Sequence, residues 1–160
     1  MGRSLVLIVD DDADIARVVQ VNLESEGYRC IIASDGVEAL SLVAREPFDA
    51  VLTGVMMPHM DGFELVRRIR EDPRAVDLPI AIVSARSKMA DKRMGLEVGA
   101  DDYLTKPFDP VELVRHVAIL LSLTREAIRR DPGFDPSSAS DARIATYLDG
   151  IRAAAGYRSD

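Results

Sequence analysis

Three adjacent carboxylates, Asp10, Asp11 and Asp12, follow the apolar run LVLIV, and Thr53-Gly54, Ser84 and Lys106-Pro107 each follow a later apolar run. Adjacent carboxylates repel one another unless a cation neutralises them. Oxygen ligands on rigid loops suit Mg²⁺, which takes one or two carboxylates and completes its octahedron with water, carbonyls or phosphate oxygens. Lys106 adds a positive charge for an anion, and Ser84 a hydroxyl donor. The set describes a small site for a phosphoryl group and its metal. Gly54 is the discordant member, because it closes AVLTG at a point where chemistry is expected and carries no side chain. Each residue alone has a plainer role: Asp12 or Asp14 caps a helix, and Lys-Pro and Ser are ordinary loop residues. Their joint occurrence at four run ends selects the site. Met56, Met57 and Met60 read as loop packing, and His59 and His116 as exposed residues without a metal partner set.

Convergence of such distant residues requires a parallel sheet. Strands are predicted at Leu5–Val9, Arg29–Ala33, Ala50–Thr53, Ile80–Ser84 and Tyr103–Thr105, rich in Val, Ile and Leu without strict alternation. That composition fits strands buried on both faces. Amphipathic stretches lie between them. Ile15, Val18, Val19 and Leu23 mark a helix ended by Gly27, Val37, Leu40 and Val43 a second ended near Pro47, and Phe63, Val66 and Ile69 a third. A fourth runs from about Ala90 to Val98 and stops at Gly99; a fifth opens at Asp109-Pro110-Val111-Glu112, with Asp as N-cap, Pro first and Glu third. Five βα units in sequence imply a doubly wound sheet with helices on both faces. In such a sheet the carboxyl ends of the strands line one edge, where a ligand binds.

The chain of 160 residues has room for one full core and a short appendage. Its net charge of −7 is uneven: residues 1–122 hold 14 basic and 21 acidic groups, whereas 123–160 balance six arginines against six acids. An acidic main domain disfavours nucleic acid and suits a cation or a basic partner. No apolar run approaches the ~20 residues of a membrane span, and the N-terminus enters strand sequence without a leader, so a cytoplasmic protein is expected. Cys30, the single cysteine, reads as a small core residue.

The segments LVLIVDDDADI, AVLTGVMMPHMDGFELVRRIR, LPIAIVSARS and GLEVGADDYLTKPF closely resemble the receiver domain of two-component response regulators, over about residues 4–122. The resemblance implies a flavodoxin-like (βα)5 fold, strand order 2-1-3-4-5, that takes a phosphoryl group from a histidine kinase onto an aspartate ending the third strand. It implies that Asp10 and Asp11 form the acid pair, with Asp11 and the Met56 carbonyl as Mg²⁺ ligands. Ser84 matches the residue that moves to the phosphoryl oxygen, Tyr103 the aromatic switch, and Lys106 the phosphate-binding lysine before a cis peptide to Pro107. The face of the fourth helix, fifth strand and fifth helix is implied as the surface for a kinase, phosphotransfer or output protein, or for a second copy. The acceptor position, four residues before Pro58, is Gly54.

Glycine supplies neither nucleophile nor ligand, so Mg²⁺ should bind weakly and no phosphoryl group should be held there. The expected function is a signalling module rather than an enzyme, acting as a pseudo-receiver by protein binding. The alternative is an ordinary receiver disabled by an introduced Asp-to-Gly change. A remoter one is a haloacid-dehalogenase-like phosphatase using Asp10 and Asp12, although Asp14 stands where that pattern wants Thr. Residues 123–160 should extend the fifth helix through Arg130, pass through the linker DPGFDPSSASD, and end in an amphipathic helix with Ile144, Tyr147, Leu148 and Ile151 on one face. That stripe is expected to dock, on the receiver or on a second copy.

Overall fold

The computed structural model describes residues 3–122 and 134–154. The elements run β1 (Leu5–Val9), α1 (Ala13–Ser25), β2 (Arg29–Ala33), α2 (Gly36–Arg45), β3 (Ala50–Thr53), α3 (Gly62–Glu71), β4 (Ile80–Ser84), α4 (Met89–Val98), β5 (Asp102–Thr105), α5 (Pro110–Ser122) and α6 (Asp141–Ala154). The extension of the fifth helix to Arg130 and the first part of the linker lie outside the described residues.

All five strands pair in parallel in the order β2-β1-β3-β4-β5. Period-2 alternation then sorts the side chains into two cores. Leu7, Val9, Val51, Ile80, Ile82 and Tyr103 face Leu65, Val66 and Ile69 of α3 and Leu96 of α4. Val6, Ile8, Leu52, Ala81, Val83 and Leu104 face Val19 and Leu23 of α1 and Leu113, Val117 and Leu120 of α5. This explains strands without strict polar alternation: both neighbours of a central strand residue lie under helices. The exception is β2, whose edge position leaves Arg29 exposed and Cys30, Ile31 and Ile32 half-buried. Cys30 is therefore at the margin of the core rather than inside it.

Caps follow the local sequence. The Asp12 carboxylate accepts the N–H groups of Asp14 and Ile15, Asp35 that of Glu38, and Asp61 that of Glu64. Gly99 ends α4 in the left-handed region at φ 116°, where glycine has no steric penalty. Beyond these, Arg70 joins four elements: Nε donates to Gly99 O, Nη1 to Val76 O and Leu78 O, and Nη2 to the buried Asp101 Oδ2 at 3.0 Å, which also accepts Ile80 N–H.

The C-terminal helix docks on the receiver. Ile144 and Leu148 enter the same core as Tyr103 and Leu96, and Ile151 is buried as well. Tyr147 Oη donates to Asp101 O, and its ring stacks on Phe134 with centroids 4.9 Å apart. Arg93 of α4 donates to Pro136 O, Ala139 O and Asp141 Oδ1 at 2.7, 2.5 and 2.7 Å.

Candidate functional site

β1, β3, β4 and β5 deliver Asp10, Gly54, Ser84 and Lys106 to one edge of the sheet. Asp10 is buried; its Oδ2 accepts Lys106 Nζ at 2.8 Å and its Oδ1 accepts Asp12 N–H at 2.9 Å. Lys106 N–H donates to Ser84 O, which holds the β5 loop against β4, and the peptide to Pro107 is cis. Ser84 is buried, and its Oγ accepts Arg86 N–H. The Arg86 carbonyl in turn accepts Tyr103 Oη at 2.6 Å, so the β4–α4 loop connects the serine to the tyrosine. Burial raises the Tyr103 hydroxyl above the ordinary phenol range, so it stays a proton donor. Asp11 is exposed.

Gly54 lies among these groups. Its N–H donates to Val9 O, and a Cβ built on it would meet Val9 O at 3.7 Å, Asp10 Oδ2 at 3.8 Å and Val83 O at 3.8 Å. These are ordinary van der Waals separations, so the backbone does not demand a glycine there. The neighbouring Gly62 is different: a Cβ on it would stand 1.8 Å from the Gly54 carbonyl oxygen. The close passage of the α3 N-terminus over β3 requires Gly62. Thr53 is buried with its hydroxyl donating to Gly54 O, which removes it from the open edge.

The donor set fits Mg²⁺ weakly. Two carboxylates and the carbonyl of Met56 are enough oxygen ligands for an ion that keeps several waters. Lys106, however, already neutralises Asp10, and among the described residues no group of three His, Cys, Asp or Glu side chains is arranged to hold a metal. Asp12 caps α1, its Oδ1 accepting the N–H groups of Asp14 and Ile15.

Two expectations need correction. His116 is 1% exposed, with Nδ1 2.5 Å from Asp102 Oδ2 and Nε2 3.6 Å from Glu112 Oε1; it stands in the inward stripe Leu113, His116, Val117, Leu120 of α5. That i, i+3, i+4, i+7 spacing was a readable sign of burial. His59 does lie exposed, in a loop at φ 70°. Met57 and Met60 pack on the core, but Met56 is 68% exposed, with Sδ near Arg86 Nη1. Arg86 itself, which pairs with Asp91 and lies over the Phe63 ring, was missed because an arginine in a loop has no distinguishing spacing.

The family description "Response regulator receiver domain" matches residues 6–118. The chain belongs to that family. The receiver is 43% identical over 125 residues to the probable transcriptional regulator ycf27 of Guillardia theta, covering 78% of this chain and 48% of that protein. It is 42% identical over 124 residues to the phosphate regulon regulatory protein PhoB of Pseudomonas aeruginosa, covering 78% and 54%. The chain thus spans about half the length of the curated relatives it matches. Among solved structures, a putative response regulator from Chloroflexus aurantiacus superposes with TM-score 0.74 at 38% identity, covering 76% of this chain and 100% of that one. The chemotaxis response regulator CheY4 of Vibrio cholerae gives 0.72 at 34%, covering 75% and 100%. The flavodoxin-like order 2-1-3-4-5 agrees with these neighbours. Receivers are in general signalling rather than enzymatic modules and commonly bind Mg²⁺; among the described residues no helix is long and apolar enough to cross a membrane.

Proposed function

We propose that this receiver serves two-component signalling by protein binding alone, without taking a phosphoryl group at residue 54. The observation that carries the reading is Gly54 itself, which sits at the strand end beside Asp10 and Lys106 with no oxygen to attack phosphorus. Acyl-phosphate formation needs a carboxylate in line with the leaving group of the donor. With none at residue 54, Lys106 pairs with Asp10 at 2.8 Å. Residues 1–122 form the receiver and 123–160 its appendage. Asp10, Asp11 and the Met56 carbonyl remain as a weak Mg²⁺ site, and Ser84 and Tyr103 as remnants of a switch. A kinase, phosphotransfer or output protein is the partner class, and a cytoplasmic location accompanies it. The acidic balance of residues 1–122 disfavours binding to a phosphate backbone.

A second reading, an ordinary receiver disabled by one Asp-to-Gly change, is favoured by the ordinary van der Waals clearance of a Cβ at Gly54 and by Ser84 and Lys106 remaining in place. Intact mass after incubation with acetyl phosphate and Mg²⁺ tests both. The chain as it stands should gain no phosphoryl group, and Gly54→Asp should gain one. Uptake by the unmodified chain on Asp10, Asp11, Asp12 or Thr53 overturns the binding-only reading. A folded, Mg²⁺-binding Gly54→Asp variant that takes up none overturns the single-change reading.

A further inference from the structure

The face formed by α4, β5 and α5 is the one that resemblance assigns to partners, and α6 lies on it. Asp141 reaches Arg93 of α4, Tyr147 reaches the Asp101 carbonyl just before β5, and Arg152 Nε stands 3.2 Å from Glu112 Oε1 of α5. Ile144, Leu148 and Ile151 lie beneath, buried at i, i+4 and i+7. Ile144 and Leu148 share their cluster with Tyr103, so the helix rests on the same core as the tyrosine next to the phosphoryl-type site. A partner that used this face would have to displace α6.

The helix is also weakly built. At 14 residues it is marginal on its own in water. Gly150 lies inside it, and a Cβ there would meet nothing within 4 Å, so packing does not require a residue that disfavours helix. Ala142, Arg143, Thr146 and Asp149 face solvent.

We propose that residues 134–154 are a tethered competitor for the α4-β5-α5 face, and that the partner this face takes is itself an amphipathic helix of matching chemistry. Such a helix carries an acid near its N-terminus for Arg93, a hydroxyl-bearing aromatic four residues before the last apolar position for the Asp101 carbonyl, and aliphatic residues at i, i+4 and i+7. The proposal rests on the binding-only reading for its biological sense: occupancy of the face by helix, rather than a covalent event, sets its availability.

The test uses the full chain and a fluorescent peptide of residues 134–154 as the probe. With the face vacated by Ile144→Glu/Leu148→Glu, the peptide should bind roughly tenfold or more tighter than it binds the unmodified chain. Adding Arg93→Glu to that variant should abolish the gain. A milder pair, Asp141→Asn/Tyr147→Phe, leaves the apolar core intact and should raise peptide affinity several-fold. Circular dichroism and the thermal transition verify the receiver fold in each. Equal peptide affinity for the unmodified chain and both variants, or no binding to a folded double-Glu variant, overturns the proposal. No phosphodonor is present, so this outcome is independent of whether residue 54 accepts phosphate.

Discussion

Two glycines eight residues apart do opposite things. Gly62 is demanded by the backbone that crosses over Gly54, whereas Gly54 has ordinary clearance around its missing side chain. Gly54→Asp should therefore fold, but its carboxylate would join Asp10. At an effective dielectric near 20 a like-charge pair ~4 Å apart repels by up to ~4 kcal/mol, less here because Lys106 and solvent share the charge. Lost glycine entropy in the unfolded chain returns only ~0.5–1 kcal/mol. Urea unfolding should show Gly54→Asp less stable than the parent without metal and more stable with millimolar Mg²⁺. Cys30 gives a second check at this scale: burial, then nearby Glu24, pushes its thiol up to about 12. A raised thiol pKa favours the protonated fold below the unfolded value and withdraws that support as pH climbs toward 12. Iodoacetamide at pH 8 should modify the folded chain far more slowly than the chain in urea. The strand-end residues were legible because position after an apolar run is itself a signal. The burial of His116 was legible only from its spacing in the stripe of α5; its buried partner Asp102 was not, because no sequence pattern pairs the two.

At the level of elements, burial decides which ion pairs matter. Arg70 and Asp101 are almost wholly enclosed, with side-chain exposures of 10% and 0%, and hold α3, β4 and the start of β5 together. Arg70→Ala would remove the 3.0 Å ion pair from the buried Asp101 carboxylate, a loss of about 3–5 kcal/mol measurable by urea unfolding. Arg74→Ala, which breaks the exposed pair with Asp72, should leave the unfolding midpoint where it is. The strands were readable from sequence almost residue by residue, since Val, Ile and Leu runs bounded by Asp, Gly and Pro leave few alternatives, whereas the caps Asp35 and Asp61 were not singled out. β5 was read as starting at Tyr103, one residue late: Asp102 belongs to the strand because it pairs with Ala81 of β4, and its carboxylate, which accepts Tyr103 N–H, faces His116 inside the core. Charge in the middle of a core is invisible to a hydropathy pattern.

For the molecule as a whole, the two cores differ in how they are closed. The α1/α5 side is sealed by helices within the receiver, whereas the α3/α4 side also takes Ile144 and Leu148 from α6. Sequence showed that the stripe must be covered, but not by what, since an apolar face does not name its counterpart. Amide exchange should find residues 142–153 protected, yet opening more readily than β1 and β3, and Gly150→Ala should slow that exchange by roughly the fivefold that ~1 kcal/mol of helix propensity allows. A helix lying across a docking surface also acts as a clock. An incoming helix has to wait for α6 to leave, so the observed association rate should rise with its concentration and then level off at the departure rate of α6. Stopped-flow fluorescence with the labelled 134–154 peptide should show that plateau in the unmodified chain, a lower one in Gly150→Ala, and a rate that keeps climbing once Ile144→Glu/Leu148→Glu has cleared the face.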